Sequence, residues 1–160
     1  MKDINIRLMK KGDLQLLSEI YVDVYTKFDV GERWTVNTAK KMLTYFFKQQ
    51  PDLSFVAEYR GKIVGAFIAI VKPWCDGNHL TDGEVFVHPD YQRFGIGKEL
   101  SKVIYKTAIT NHDIKAISFV TFRKFEFPLK WYKSHGFKEN EDSIMITGDA
   151  KDILRKLEKK

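Results

Sequence analysis

Cysteine is almost absent from this sequence of 160 residues, in which Cys75 is the only one. A lone cysteine excludes an intramolecular disulfide framework and a cysteine-rich zinc site, and it suits a reducing compartment. Four prolines and ten glycines are too few for a collagen-like or linker-dominated chain. We expect no metal, because metal-ligand spacing is missing among the four histidines, His79, His88, His112 and His135.

Long hydrophobic runs are missing as well. The longest apolar run, residues 63–71, is far shorter than the roughly 20 residues that a membrane helix needs. The N-terminal residues lack the apolar stretch of a signal peptide, so we expect a cytoplasmic protein. The net charge of +6 suits any anionic partner, such as nucleic acid, a phosphorylated cofactor or a membrane surface, and equally a solvated basic surface.

The residues that are present suffice for a folded core, because 44% of them are hydrophobic and 14% are aromatic. Hydrophobic periodicity predicts the order strand, helix, helix, three strands, helix, strand, helix, strand, helix. This order indicates an α/β fold in which helices cover both faces of a mixed sheet. We expect one domain over residues 1–160, in which residues 149–160 form an extra C-terminal helix.

The periodicity also predicts where individual elements lie. Residues 63–71 are apolar on both faces and are expected to form a central strand, followed by a loop over residues 72–80. Three later strands are predicted, at residues 82–87, 116–122 and 143–147. The C-terminal helix is expected to direct its apolar side chains inward, namely Ile153, Leu154 and Leu157.

The segment from Glu84 to Leu100 carries the chemistry. A predicted strand there runs into a loop with Gly95 and Gly97, and the loop opens a helix. Glycine lets a ligand approach the backbone, and the free N–H groups at a helix start favour phosphate or pyrophosphate. The loop is neither a Walker loop nor a dinucleotide fingerprint, because both glycine patterns are absent. Three lysines on the helix either meet further phosphate or form a solvated face: Lys98, Lys102 and Lys106.

Two patterns in the sequence resemble those of one family. The pattern Arg/Gln-x-x-Gly-x-Gly/Ala is matched by Gln92, Gly95 and Gly97, after a Val-x-Pro. An aromatic-tyrosine pair at residues 131–132 stands shortly before a Gly-Phe pair. On these motifs the sequence resembles the GNAT superfamily of N-acetyltransferases, whose order of elements agrees with the predicted order up to about residue 147.

The resemblance implies a GNAT-like mixed, mostly antiparallel central sheet flanked by helices in three layers. It also implies acetyl-CoA as the co-substrate, with its pyrophosphate on the backbone amides of the glycine loop and its pantetheine arm along the preceding strand. The N–H of Val87 would polarise the thioester carbonyl. The implied cofactor-binding residues are Phe86, Val87, Gln92, Arg93, Phe94, Gly95, Ile96, Gly97 and Lys98.

The implied reaction is direct attack of a primary amine on the thioester. Tyr132 matches the family's acid position, and a phenol can donate a proton to the leaving thiolate. Glu84 is the implied base, directly or through a water, because several family members place an acidic residue there. A packed core tyrosine and a salt-bridged glutamate are the alternatives for these two residues.

The resemblance places the acceptor amine beside the loop between the first two helices. The implied substrate-binding residues are Asp29, Glu32, Trp34 and Trp74, with Asp76 and Glu126 as further candidates. Acidic groups beside aromatic rings would suit a cationic amine, and a small molecule or an aminoglycoside is favoured over a protein lysine or N-terminus. The resemblance also implies a homodimer.

Three other interpretations compete with an N-acetyltransferase. The first is a non-catalytic module that senses acyl-CoA. The second is a covalent nucleophile built from Cys75 and His79, although such residues usually come from distant segments of a chain. The third is a nucleic-acid-binding protein, supported by the charge alone because no RNP aromatic motif or arginine-rich run is present. We therefore expect neither nucleic acid nor a membrane as a partner.

Overall fold

The computed structural model describes residues 3–158. The chain divides into two compact units, Met1–Val120 and Thr121–Lys160. The strands all lie in the first unit: β1 Ile4–Leu8, β2 Ser54–Tyr59, β3 Lys62–Trp74, β4 Gly77–Val87 and β5 Ile114–Ser118. That unit also contains α1 Leu14–Lys27, α2 Val36–Gln49 and α3 Ile96–His112, and the second unit contains α4 Glu126–Ser134 and α5 Ala150–Glu158. No helix within residues 3–158 has both the length and the apolar character to cross a membrane.

Within residues 3–158, five strands form a single sheet in the order β1-β2-β3-β4-β5. The first four strands pair in antiparallel fashion. The last pair is parallel, since α3 carries the chain from the end of β4 back to the start of β5. The predicted mixed, mostly antiparallel sheet is confirmed.

Helices cover both faces of this sheet, so the first unit has three layers. Because side chains alternate along a strand, Phe67 and Ala69 of β3 pack on the α3 side. Ala66 and Ile68 pack on the opposite side, against α1 and α2. All four are almost completely buried, which confirms β3 as the central strand predicted from its apolar residues on both faces.

A partly buried charge network fixes the start of α1 to the sheet. The guanidinium of Arg7, on β1, contacts Asp13 through two nitrogens at 2.7 and 3.0 Å, and its Nε lies 2.7 Å from Glu58 of β2. The bonds from Arg7 hold the pKa of the Asp13 carboxyl below its usual range, and hydrogen bonds from Asn5 and Arg7 do the same for Glu58. The network therefore sets the position from which α1 crosses the sheet.

The hairpin between β3 and β4 is longer than the sequence predicts. The predicted loop at 72–80 is wrong, because β3 continues to Trp74 and β4 begins at Gly77. A proline usually ends a strand, so Pro73 led to the prediction of a loop. In the structure Pro73 lies within β3. β2 is paired with β3 only up to Ile68, so the outer edge of β3 at Pro73 faces no strand among the described residues.

Other predicted boundaries also change. The strand predicted at 116–122 is displaced, since β5 covers Ile114–Ser118. The strand predicted at 143–147 is wrong, because this segment has no regular structure and its Ile144, Met145 and Ile146 are exposed. A strand needs an edge to pair with, and the second unit contains none among its described residues.

The C-terminal helix forms, but its apolar residues are exposed instead of inward: Ile153, Leu154 and Leu157.

A bulge in β4 divides that strand into two parts. Ile70 pairs with Thr81 and Ile68 pairs with Glu84, so that Ala69 faces two residues, Asp82 and Gly83. Asp82 adopts a left-handed φ of 49°, and a Cβ added to Gly83 would lie 3.1 Å from the Ile68 carbonyl oxygen. Only a compact residue fits the second position of this bulge.

Candidate active site

The bulge marks the point where β4 loses its parallel neighbour. Pairing between β4 and β5 ends with Thr81 opposite Ser118. After the bulge, Glu84 to Val87 stay paired with β3, but from Asp82 to Val87 the other edge of β4 has no strand partner among residues 3–158. Unpaired peptide groups on a strand edge can bond an extended ligand, so this part of β4 offers a backbone binding edge.

Glu84 lies directly after the bulge, on the face of β4 that packs against α1. Its neighbour two residues on, Phe86, is buried in the core beneath α1 and α2. Since residues two apart on a strand share a face, Glu84 points toward the same helices. The bulge thus places a carboxylate in a largely apolar layer.

Two tyrosines of α1 contact this carboxylate. The hydroxyl of Tyr21 lies 3.1 Å from Oε2 of Glu84, and the hydroxyl of Tyr25 lies 3.4 Å from the same oxygen. The two rings stack with centroids 4.5 Å apart, and Trp34 and Phe86 meet Tyr21 edge-on at 5.2 and 5.1 Å. These rings form an aromatic cluster around the carboxylate, defined here as Tyr21, Tyr25, Trp34 and Phe86.

The surroundings of Glu84 change its proton affinity. Burial raises the pKa of its carboxyl to about 7, and the negative charge of Glu32 acts in the same direction. The hydrogen bonds from Tyr21 and Tyr25 oppose this rise because they stabilise the ionised form. Burial also raises the pKa of both phenols above the usual value, so both remain protonated donors. Glu84 is therefore able to accept and release a proton near neutral pH.

A cavity of about 330 Å³ lies beside the aromatic cluster. It is formed by the end of α1 and the loop to α2, and its lining residues are Tyr25, Thr26, Asp29, Glu32, Arg33, Trp34 and Thr35. Asp29 forms an ion pair with Arg33 at 2.6 Å, and Glu32 accepts a hydrogen bond of 2.7 Å from the indole of Trp34. Three residues predicted for the acceptor, Asp29, Glu32 and Trp34, thus lie together.

The glycine loop follows β4 and leads into α3. Arg93 and Gly95 both adopt left-handed backbone conformations, with φ values of 68° and 81°. Gly95 is the N-terminal cap residue of α3, so the N–H groups of the first helical turn point away from the helix body. This geometry, predicted from the glycine spacing, suits a phosphate group.

The side chains of the loop have separate roles. The Gln92 amide donates to the Val87 carbonyl at 2.9 Å and so ties the loop to the end of β4. Phe94 is half exposed and packs on Tyr59 of β2, with ring centroids 5.6 Å apart. Ile96 is buried in the core under α3, and Phe86 is buried on the opposite side of the sheet. At Phe86 and Ile96, therefore, only the backbone is available to a cofactor.

One residue predicted for the acceptor, Trp74, lies far from Glu84 along the hairpin. Trp74 ends β3 at the tip of the hairpin, under Lys72 and beside His79, six residues along the strand from the partner of Glu84. At about 3.3 Å per residue, that separation is roughly 20 Å. Tyr132 belongs to the second unit, where its buried ring packs against Trp131 and Phe137.

The remaining candidates have ordinary partners. Asp76 forms a 2.7 Å pair with His79 near the tip of the hairpin, and Glu126 pairs with Lys130 in the second unit. Cys75 is exposed in the turn between β3 and β4. Within residues 3–158, no group of three or more histidine, cysteine, aspartate or glutamate side chains is arranged to hold a metal ion.

Sequence reasoning missed Tyr21 and Tyr25 as site residues. Both lie on the face of α1 that packs on the sheet, four residues apart, and Tyr21 is almost fully buried. A buried tyrosine needs a hydrogen-bond partner for its hydroxyl. Two tyrosines four residues apart on the apolar face of a predicted helix therefore indicate a polar group beneath that helix. The identity of that group, Glu84, depends on the tertiary fold.

Comparison with known proteins assigns the chain to a family. Residues 50–139 match the acetyltransferase (GNAT) domain, so more than half of the chain is covered. The protein belongs to the GNAT family of acetyltransferases.

Individual relatives agree with this assignment. The chain is 30% identical over 161 residues to an uncharacterized N-acetyltransferase of Methanocaldococcus jannaschii, with 88% of this chain and 63% of that protein covered. The chain therefore spans less than two thirds of the length of that relative.

Solved structures share the fold. A possible acetyltransferase from Clostridium difficile 630 superimposes with a TM-score of 0.76 at 16% identity, covering 92% of this chain and 98% of the other. A predicted acetyltransferase with acetyl-CoA from Clostridium acetobutylicum superimposes with a TM-score of 0.67 at 19% identity, covering 90% and 96%.

Proposed function

We propose that this protein is an acetyl-CoA-dependent N-acetyltransferase that acts on a primary amine. One observation carries the proposal: β4 presents a proton acceptor, Glu84, on one face, an unpaired edge from Asp82 to Val87, and an anion-binding helix start at its end. A thioester laid along that edge would expose its carbonyl close to the base. The family assignment supports the same reaction.

The reaction needs a neutral amine, and Glu84 is proposed to remove the proton from the ammonium group. A typical primary ammonium has a pKa near 10.4, so it must lose a proton before its nitrogen can attack. Glu84 accepts this proton, directly or through a water. The amine nitrogen then bonds to the acetyl carbon and loses its second proton, the carbon–sulfur bond breaks, and the CoA thiolate leaves and takes up a proton. A base with a pKa of about 7 remains largely ionised at slightly alkaline pH.

Acetyl-CoA is the co-substrate that fits the glycine loop. Its pyrophosphate would accept hydrogen bonds from the amides of residues 92–97, and Arg93 and Lys98 are exposed cations at the same place. The Val87 N–H is proposed to polarise the thioester carbonyl, a contribution worth roughly 10²–10³ in rate for one such donor. A structural neighbour solved with acetyl-CoA supports this co-substrate.

Tyr132 is proposed as the acid that protonates the leaving thiolate. It stands at the family's position for this role, four residues before Gly136. Its phenol is an O–H donor. Tyr132→Phe is expected to lower kcat without a matching change in the affinity for acetyl-CoA.

The acceptor is proposed to be a small cationic amine that enters through the cavity between α1 and α2. Glu32 provides negative charge, while Tyr25 and Trp34 provide aromatic faces that attract an ammonium group. The cavity volume of about 330 Å³ suits a small molecule or one ring of an aminoglycoside. A cytoplasmic location and a homodimer stay predictions from the sequence and the resemblance.

An amine screen tests the proposed activity. Thiol release from acetyl-CoA would be followed with putrescine, spermidine, an aminoglycoside and a lysine peptide, and the acetylated product would be identified by mass spectrometry. Glu84→Gln should lower the rate about 10²–10³-fold, whereas Glu19→Gln, on the exposed face of α1, should leave it unchanged. Binding of acetyl-CoA without transfer to any amine would favour the non-catalytic sensor instead.

A further inference from the structure

We propose that Tyr21 and Tyr25 are positioning residues that hold Oε2 of Glu84 and thereby assign proton acceptance to Oε1. The inference rests on the proposed function, because it takes Glu84 as the base. It adds two residues of α1 to the machinery and says which carboxylate oxygen reacts.

The hydrogen bonds to Glu84 are asymmetric. Both phenols donate to Oε2, at 3.1 and 3.4 Å, and no hydrogen bond from the described residues reaches Oε1. A carboxylate has lone pairs on both oxygens, so the oxygen without a protein donor is the one left for a substrate ammonium or a water. Rotation of the carboxylate would exchange the two oxygens, and both phenols oppose that rotation.

The phenols themselves have little freedom to move. Tyr21 is almost fully buried and is held between the ring of Tyr25, stacked at 4.5 Å, and the edges of Trp34 and Phe86. Rings packed in this way keep their hydroxyls at a fixed position. Tyr25 also lines the acceptor cavity, so the same side chain contacts both the proposed entry site of the amine and the base Glu84.

The charges around Glu84 explain why two donors are needed. Glu32, in the loop after α1, repels the ionised carboxylate, and burial opposes ionisation as well. The groups that favour the ionised form are the two phenols, while the residue opposite on β3, Ile68, is apolar. Loss of the phenol hydrogen bonds would raise the pKa of Glu84 further, so a smaller fraction of the base would be ionised at neutral pH.

Conservative variants separate positioning from packing. Tyr21→Phe and Tyr25→Phe keep the rings of the aromatic cluster and remove only the hydroxyls. Tyr21→Phe is the cleaner variant, because Tyr21 is not among the residues that line the acceptor cavity. Tyr45→Phe, on the exposed surface of α2, is the matched control.

Two readouts are measured on the full chain. The first is the titration of the Glu84 side-chain carboxyl by carbon-13 NMR, with its signal assigned by its absence in Glu84→Gln. The second is kcat and KM for acetyl-CoA across pH, with the best amine of the screen. The titration does not depend on turnover, so it tests the positioning even if no amine is acetylated.

We expect the Glu84 titration to move to higher pH in Tyr21→Phe and Tyr25→Phe and to stay in place in Tyr45→Phe. We also expect kcat at pH 7 to fall about tenfold in Tyr21→Phe, with KM for acetyl-CoA unchanged, because a hydrogen bond to a charged group is lost. An unchanged titration in both phenol variants would overturn the inference while leaving the proposed function intact. Full activity of Glu84→Gln would overturn the inference together with the choice of base.

Discussion

The hydroxyl of Tyr21 lies 3.1 Å from Oε2 of Glu84, although 63 positions separate the two residues in the chain. This bond joins the first helix to the strand that carries the candidate base. It also brings together the cavity at the end of α1 and the edge of β4 that has no strand partner among the described residues. The geometry of the site therefore depends on how α1 is anchored and on how β4 is bent.

Replacing Glu84 should change the pH dependence of stability. The folded pKa of about 7 exceeds the ordinary value of 4.5, so the folded state binds more protons than the unfolded chain between these pH values. The stabilisation that Glu84 provides is complete below about pH 4.5 and is lost as pH rises through about 7. Wild type should lose on the order of 2–3 kcal/mol between pH 4.5 and 7 relative to Glu84→Gln. Urea unfolding of both proteins at several pH values measures this difference, and parallel curves would argue against a buried, protonatable carboxyl.

Removing the charge of Arg7 should destabilise the start of α1. Arg7→Met leaves the carboxylates of Asp13 and Glu58 partly buried without their cation, at a cost of about 1–3 kcal/mol at pH 7. The low pKa values of both carboxyls mean that their stabilisation is present above about pH 4 and is lost as pH falls through the folded values. The difference from wild type should therefore shrink at pH 2.

A matched variant controls for the loss of an arginine. Arg33 pairs with Asp29 on the surface, where both side chains are mostly exposed. Arg33→Met should leave the free energy of unfolding in urea almost unchanged, because ion pairs between exposed side chains contribute little. Equal effects of the two variants at pH 7 would contradict the anchoring role of Arg7.

The fold was largely predictable because its signals are local. Apolar periodicity predicted the order of the elements, including α1, α2 and α3, and a run that is apolar on both faces predicted the central strand β3. Non-local features were missed. The bulge at Asp82 and Gly83 depends on pairing with Ala69, and the phenol partners of Glu84 come from another element. The strand predicted at 143–147 has strand-forming residues, but the described part of the second unit offers it no edge to pair with.

Gly83 should tolerate no larger residue. A Cβ there would lie 2.8 Å from the ring of Phe119 and 3.1 Å from both the Ala69 Cβ and the Ile68 carbonyl oxygen. We expect Gly83→Ala to lower the free energy of unfolding by about 1–3 kcal/mol and to displace Glu84. Gly12→Ala is the control, because nothing lies within 4 Å of its added Cβ. Wild-type stability of Gly83→Ala in urea would show that the bulge is not tightly packed.

Gly95 should be needed for the affinity of acetyl-CoA. Its left-handed φ of 81° and its place at the start of α3 both favour glycine where a phosphate approaches the backbone. Gly95→Ala should raise the Kd for acetyl-CoA about tenfold by calorimetry, because the free loop would relax out of the left-handed conformation, and restoring it for the phosphate costs roughly 1–2 kcal/mol. Gly31→Ala has a similar φ of 89° in open space, so it should lose stability but keep the wild-type Kd. Equal Kd values for the wild type, Gly95→Ala and Gly31→Ala would show that the glycine loop does not bind acetyl-CoA.

The most direct test of the account is the thermal unfolding midpoint of the wild-type protein with saturating acetyl-CoA, with ATP as the control. A ligand at about 100 times its Kd stabilises the folded state by about 2.7 kcal/mol, which raises the midpoint by several degrees in a chain of this size. The account predicts a rise with acetyl-CoA that ATP does not reproduce. No rise with acetyl-CoA would contradict both the proposed acetyltransferase and the acyl-CoA sensor.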